Sequence, residues 1–294
     1  MKGRVAVLLG TACLFAPVAQ ADDYIPPVVG GHTYVQHQIV VARAQHPEIA
    51  SIRVEGVREG SDAIVVLGST VSAAAVFSPV PHPASGSGHG WSADHRLYMV
   101  HAPFKSNSGH AIGTITIAFR AAGKAGTARF DIIAAQIAAK MARATLSPKN
   151  AADPWPYDAA FGPNTYAQTL TEKLVARHPD LLVMMIHATP PGGSKNVIIG
   201  SNIGRFGKVA DEDDARVIDK GETNLEVGGD KDRFETELPL NDMHGKRIGA
   251  LGLVFGFAPG ADQEALHKHG LAIRDELARE IPDSAALFRK RCCP

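Results

Sequence analysis

The stretch Thr165–Ser201, TYAQTLTEKLVARHPDLLVMMIHATPPGGSKNVIIGS, has a twin at Thr33–Ser69, TYVQHQIVVARAQHPEIASIRVEGVREGSDAIVVLGS. Thr33, Tyr34, Gln36, His46, Pro47, Gly60, Val65, Gly68 and Ser69 recur 132 positions later (165 − 33) as Thr165, Tyr166, Gln168, His178, Pro179, Gly192, Val197, Gly200 and Ser201, with no gap. An internal duplication is read before single residues, because both copies must fold by the same rules.

Each copy opens with a helix pattern. Thr33-x-x-Gln36 and Thr165-x-x-Gln168 fit a capping box, in which hydroxyl and amide satisfy end N–H groups reciprocally. Tyr166, Leu170 and Leu174 fall on one stripe. Pro47 and Pro179 stop each helix, since the residue before proline avoids helical backbone. Two strands follow in each copy, Ala50–Glu55 with Ala63–Ser69, and Leu181–His187 with Asn196–Ser201, joined by glycine-containing turns. The middles then diverge. Val80–Gly90 reads as a loop, whereas 202–229 carries a short helix at Asp211–Lys220.

Homology resumes at a new offset of 136 (239 − 103), with Pro103, Gly113 and Phe119 matching Pro239, Gly249 and Phe255. The paired segments Leu97–Phe104 with Ala111–Arg120, and Arg233–Leu240 with Ile248–Phe257, read as antiparallel hairpins. A closing helix ends each copy, at Phe130–Arg143 and Gln263–Ile281, and prolines between 148 and 163 make a stiff linker. The expected class is α+β. It comprises two modules, 24–147 and 164–282, each with about four or five antiparallel strands and a helix at either end. The remaining segments are 1–21, 148–163 and a C-terminal tail, 283–294.

Bulk properties narrow the function. The 294 residues suit two domains, 45% apolar content supplies cores, and a formal net charge of zero argues against a nucleic-acid partner. Residues 1–21 read as a cleaved signal peptide, with Lys2 and Arg4, an apolar run from Val5 to Val18, and Ala19-Gln20-Ala21. The expected location is periplasmic or secreted. Cys13 then leaves with the signal, and the adjacent pair Cys292-Cys293 reads as a frayed tail rather than a disulfide or soft-metal site.

The phrases His178-Pro179-Asp180, Val197-Ile198-Ile199-Gly200-Ser201 and Glu237-Leu238-Pro239-Leu240-Asn241-Asp242-Met243-His244-Gly245-Lys246-Arg247-Ile248-Gly249 resemble those of Cache domains, the extracytoplasmic PAS-like sensor modules. The resemblance covers nearly all of copy two and, more weakly, copy one. It implies tandem modules that bind a small ligand over the sheet. Cache modules usually belong to receptors with a membrane helix and a cytoplasmic output domain. Neither is legible here, so the expectation is a soluble binding protein, one that signals through a membrane-protein partner, or one that has lost signalling altogether.

The ligand-binding candidates are in copy two. Arg205 follows the second strand and Arg216 lies in the short helix. Arg233, Glu235 and Glu237 alternate on one face of a strand, with Phe234, Thr236 and Leu238 on the other. If the charged face holds ligand, Arg205 and Arg216 clamp a carboxylate while Glu237 receives an amine. The expected ligand is a small polar molecule such as an organic acid or amino acid, with Arg233 and Phe234 at the same site. The bland alternative is a solvated face.

An alternative function is a haem- or transition-metal-binding protein using His82, His89, His95, His101 and His110, though no spacing among them is a ligand pattern. His267 and His269, two apart on a helix, point to different faces. His46 and His178 read as helix-terminal cations that bond the last carbonyls. A hydrolase is the weakest reading. Gly86-Ser87-Gly88-His89-Gly90 and the paired Gly-Ser positions 68–69 and 200–201 lack a nucleophile elbow and an aligned base. The expectation is therefore a non-enzyme without a cofactor.

Overall fold

The computed structural model describes residues 33–81, 86–121, 123 and 126–291. The signal segment, His82 and Cys292-Cys293 lie outside the described residues. Module one comprises α1 (Tyr34–Gln45), β1 (Ile49–Val57), β2 (Ile64–Ser69), β3 (Gly88–Trp91), β4 (Leu97–Lys105), β5 (Ala111–Arg120) and α2 (Ala128–Arg143). A short helix α3 (Pro148–Ala152) follows. Module two comprises α4 (Tyr166–Arg177), β6 (Leu181–Ala188), β7 (Val197–Ser201), α5 (Glu212–Lys220), β8 (Asn224–Val227), β9 (Arg233–Asn241), β10 (Arg247–Gly256), α6 (Gln263–Ala278) and α7 (Ser284–Leu287).

Each module is α+β, with one five-stranded antiparallel sheet and a helix at each end, as expected. The strand orders are β2-β1-β5-β4-β3 and β7-β6-β10-β9-β8. The fifth strand of module one falls in the stretch expected as loop. Gly88 and Gly90 lack β propensity, but β4 offers them a free edge, and Gly88–Trp91 pairs there with Tyr98–His101. Among the described residues no helix is long and apolar enough to cross a membrane.

One face of each sheet is covered by its terminal helices. In module one Val35 and Ile39 of α1, and Phe130, Ile137 and Met141 of α2, bury against Ile52, Val54, Leu67, Ile115, Ile117 and Phe119. In module two Leu170 and Leu174, with Ile273 and Leu277, do the same against Met184, Ile186, Leu238, Leu251, Leu253 and Phe255. Each such side chain removed from water contributes about 1.5–3 kcal/mol. Module two does not stop at 282: α7 buries Ala286 and Leu287, and the backbone N–H of Tyr166 donates to the Arg289 carbonyl at 2.8 Å.

The Thr-x-x-Gln motif is half a cap and half a clasp. Oγ1 of Thr33 accepts the Gln36 N–H at 3.0 Å and donates to the Leu67 carbonyl at 3.0 Å. The Gln36 amide does not return to the helix end. Its Oε1 accepts the Ser69 N–H at 2.7 Å, and its Nε2 donates to the Ser69 carbonyl at 3.1 Å. Thr165 repeats its role with Gln168 and Ile199, and the Ser201 N–H donates to Gln168 Oε1 at 2.8 Å. The clasp wins over a capping box because those strand-end groups are buried and would otherwise be unsatisfied. The paired glycines make room for it: a β-carbon at Gly200 would stand 2.6 Å from Thr171 Oγ1. The neighbouring serines end the strands, with Ser69 Oγ accepting the Val71 and Ser72 N–H groups and Ser201 Oγ that of Ile203.

The paired histidines also depart from the helix-cation reading. The His178 ring leaves its own helix carbonyls and places Nε2 3.2 Å from Glu276 of α6, while His46 Nδ1 lies 3.4 Å from Glu48. The linker is packed rather than a spacer. Asp153 is buried, accepts from Asn150 Nδ2 (3.0 Å), Tyr157 hydroxyl (2.6 Å) and Arg205 Nε (3.0 Å), and its carbonyl receives the Tyr34 N–H. It thereby joins α1 of module one to the strand-end turn of module two.

A further shared feature lies within the sheets. The edge strands carry matching bulges: Leu67 of β2 is the extra residue between the partners of Val54 and Glu55, and Ile199 of β7 that between the partners of Ile186 and His187. On the far side of β1 and β6 from these, a β-carbon at Gly113 would stand 1.9 Å from the Glu55 carbonyl oxygen, and one at Gly249 1.9 Å from that of His187. We expect Gly249→Ala to lower stability by about 2 kcal/mol or more in urea unfolding, an overpacking cost that backbone atoms cannot relieve. Gly256→Ala, with nothing within 4 Å, is expected to stay within about 0.5 kcal/mol of wild type.

Candidate functional site

The second face of the module-two sheet carries the candidate site. Alternation along β9 turns Phe234, Thr236, Leu238 and Leu240 into the helix-covered core and leaves Arg233, Glu235 and Glu237 on the other side. Helix α5 crosses this second face, against β9 and β10. Its sequence explains its placement. Asp211 and Asp214 form a true capping box, with Asp211 Oδ1 accepting the Asp214 N–H at 3.2 Å and Asp214 Oδ2 accepting the Asp211 N–H at 3.1 Å. Glu212, Asp213 and Asp214 suit the positive helix start, and Gly221 closes the helix in the left-handed region.

Only Asp214 and Val217 of α5 are buried. Asp214 Oδ2 lies 3.5 Å from Nδ1 of His187, the one ionisable side chain in the apolar strand β6. His187 is 2% exposed, and neither ring nitrogen has a hydrogen-bond partner. Glu237 accepts from Asn224 Nδ2 of β8 at 3.2 Å. Between Met185 and Glu235 the floor is Gly252, which adds no side chain. His187, Asp214, Glu235 and Glu237 thus gather from β6, α5 and β9 into one polar cluster under α5, termed the chamber.

Their ionisation is strongly perturbed. Burial, then the neighbouring Glu226, pushes Glu235 up to about 7, with Arg205 acting the other way. Burial, then Asp214 and Glu235, pushes Glu237 up to about 8. Burial, then Asp211, raises Asp214 to about 6. Burial, then Lys208, lowers His187 to about 4. Desolvation disfavours every charge here, and the carboxyl groups disfavour one another. Such clustering of shifted groups marks functional sites more often than ordinary surfaces.

The sequence candidates separate in space. Glu237 lies in the chamber. Arg205 borders it near Glu235, but its guanidinium is spent on buried Asp153. Arg216 is exposed and pairs with Asp213 of its own helix, so it clamps no ligand alongside Arg205. Arg233 is held by Asp230 and Asp232. Phe234 is fully buried on the opposite face, its ring 6.1 Å from that of Phe257. His187 and Asp214 escaped sequence reasoning. Their signals were a lone imidazole in an apolar strand and an acidic pair three apart at a helix start.

The copy-one histidines do not gather. His95 and His110 flank opposite ends of β4, whose nine residues span about 30 Å. His101 Nδ1 is 2.9 Å from Thr116 Oγ1, and His110 Nε2 is 2.8 Å from Asp232 of module two. His89 and His101 border a groove of about 710 Å³ between β4 and α2. Ser87 and Asp131 also line it, and His89 Nδ1 lies 3.1 Å from Asp131.

No family model matches the chain, and no curated protein matches it. Among solved structures, the repressor BlcR of Agobacterium tumefaciens is similar over 40% of this chain and 67% of its own, at 9% identity and a TM-score of 0.30. An RNA-binding light-oxygen-voltage receptor is similar over 78% of this chain and 100% of its own, at 10% identity and a TM-score of 0.19. Scores this low say nothing about function.

The chamber has a pH signature. Carboxyl groups raised on folding contribute stability that is fully present below their unfolded pKa and lost as pH rises through the folded values, about 7 and 8 for Glu235 and Glu237. Neutral His187 acts oppositely: its contribution is present above about 6.5 and lost as pH falls toward about 4. Between pH 6.5 and 8 the carboxyl effect therefore acts without the imidazole. The urea midpoint should fall over that interval in wild type and stay nearly flat in Glu235→Gln/Glu237→Gln.

Proposed function

We propose that this chain is an exported, non-enzymatic small-molecule-binding protein built from two Cache/PAS-like modules, and that the module-two chamber binds a ligand through a protonated amine. The observation that carries the reading is the convergence of Asp214, Glu235 and Glu237 beside an unpartnered His187, under α5. Burial and mutual repulsion raise all three carboxyl groups, so that near neutral pH Glu237 is mostly and Glu235 partly protonated. An ammonium group displaces those protons and donates charge-assisted hydrogen bonds to the resulting carboxylates. The neutral His187 ring supplies one acceptor nitrogen to the same group.

A carboxylate ligand fits less well. Arg205, which reaches Glu235, is already paired with Asp153, Lys208 lies 4.0 Å from Asp211, and Arg233 is held by Asp230 and Asp232. Organic acids are thus disfavoured, and amines or amine-rich amino acids are favoured. Module one offers a different lining. Glu55, Met99 and His101 stand at the positions of His187, Glu235 and Glu237, so the two modules do not share a ligand. On this reading the protein works in the periplasm or outside the cell, with a membrane-protein partner as the recipient of any signal.

The test is a thermal-shift screen at pH 7.5 with amines, amino acids and organic acids. An amine present at a hundred times its dissociation constant is expected to stabilise by about 2.7 kcal/mol. Glu237→Gln is expected to abolish that shift, and Arg216→Ala to leave it intact. A response to organic acids only, or unchanged amine binding by Glu237→Gln, overturns the proposal.

A further inference from the structure

Away from the chamber, on the helical side of module two, two histidines and two carboxylates meet where α4 ends against α6. His178 is the C-cap of α4, Asp180 follows Pro179 at the start of β6, and His269 and Glu276 belong to α6. Nε2 of His269 lies 3.1 Å from Oδ2 of Asp180. One donor atom each from His178, Asp180 and His269 lies within 4.8 Å of the others. Zinc-to-nitrogen and zinc-to-oxygen bonds of about 2.0–2.2 Å put neighbouring tetrahedral donors roughly 3.3 Å apart. The His269–Asp180 pair already has that spacing, and His178 needs to close by about 1.5 Å at most.

We propose that His178, Asp180 and His269 form a binding site for a divalent transition metal of the zinc type, with water completing the coordination. The donor set is what such an ion takes: imidazole nitrogen twice and one carboxylate. Glu276 has the supporting role. Arg177 occupies one of its oxygens and His178 Nε2 lies 3.2 Å from the other. Glu276 therefore fixes the His178 ring and leaves Nδ1 as the metal-binding nitrogen, the carboxylate–histidine–metal arrangement. The site is partly exposed, so an ion can enter, while Phe255, 5.4 Å from the His269 ring, shields its inner side.

The duplication supplies an internal contrast. His46 and Glu48 stand where His178 and Asp180 do, 3.4 Å apart, but the position matching His269 is Ile133. Module one has half the site and lacks the third donor. A second mixed cluster, His110 with Asp230 and Asp232, differs in another way. Arg233 lies 3.6 Å from Asp230 and 3.3 Å from Asp232, so a cation is already in place.

The test uses the untagged mature protein carrying Cys292→Ser and Cys293→Ser, which removes thiolates from the reading. Calorimetric titration with Zn²⁺ is expected to give one ion per chain, and Co²⁺ to give visible absorption of a tetrahedral site. Losing a group that merely orients a metal ligand weakens binding about 10- to 100-fold, so His269→Ala and Asp180→Asn, which remove direct donors, should each weaken it by about 100-fold or more. His46→Ala should bind as the parent does. Unchanged metal-free urea midpoints of the variants separate lost ligation from lost folding, and Asp180→Asn, at an exposed position, keeps the test intact if His269→Ala unfolds. Absence of zinc binding in the parent, or parental affinity in Asp180→Asn, overturns the proposal.

Discussion

A β-carbon at Gly249 would come within 1.9 Å of the His187 carbonyl oxygen, and one at Gly113 would approach Glu55 in the same way. That close approach lets the central strand of each sheet, β5 or β10, lie against its neighbour, β1 or β6. Pairing with β10 is unbroken from Ala188 to Val183 of β6, so plain strand alternation sets which face each side chain takes. It fixes His187 on the face crossed by α5. Were the register to slip by one residue, His187 would enter the helix-covered core and Ile186 would face the carboxyl groups. The polar chamber and the apolar core thus depend on the same backbone contact.

Around that contact the two modules repeat the same solution. Threonine and glutamine of the first helix bond the end of the second strand, a glycine there admits the helix, and apolar stripes fill one side of the sheet. These features contain no chemistry, and both copies retain them. The other side of the sheet is free to differ. Met99, His101 and Thr116 in module one stand where Glu235, Glu237 and Gly252 stand in module two. Thr116 engages His101, whereas Gly252 leaves the floor bare. A shared fold with different linings suits a pair of binding modules with different tasks.

The electrostatics of the two sides differ in kind. Buried Arg205 and Asp153 satisfy one another, with Tyr157 and Asn150 adding hydrogen bonds. That cluster holds the linker and is complete. The chamber is incomplete. Glu237, and in part Glu235, lower their burial cost by taking up protons near neutral pH, and His187 by staying neutral. Groups kept neutral by mutual discouragement can be recharged by an arriving cation, whereas paired groups cannot.

Periodicity, prolines and the repeat made the class, the two modules, the helices and most of the strands legible in the sequence, because buried faces impose spacing that does not depend on partners. Helix α5 was legible too, from its acidic start and Gly221. Strand β3 was not, because its pairing comes from the open edge of β4 rather than from its own Gly-rich residues. The roles of Gln36 and His178 were hidden for a related reason. Each prefers a distant partner, Ser69 or Glu276, to the local helix end that its spacing suggests. Glu237 was read correctly as facing away from the core, since alternation along a strand is a local property. Its companions His187 and Asp214 come from segments far apart in the chain, as do His178 and His269. Spacing along a chain cannot report meetings that only packing brings about.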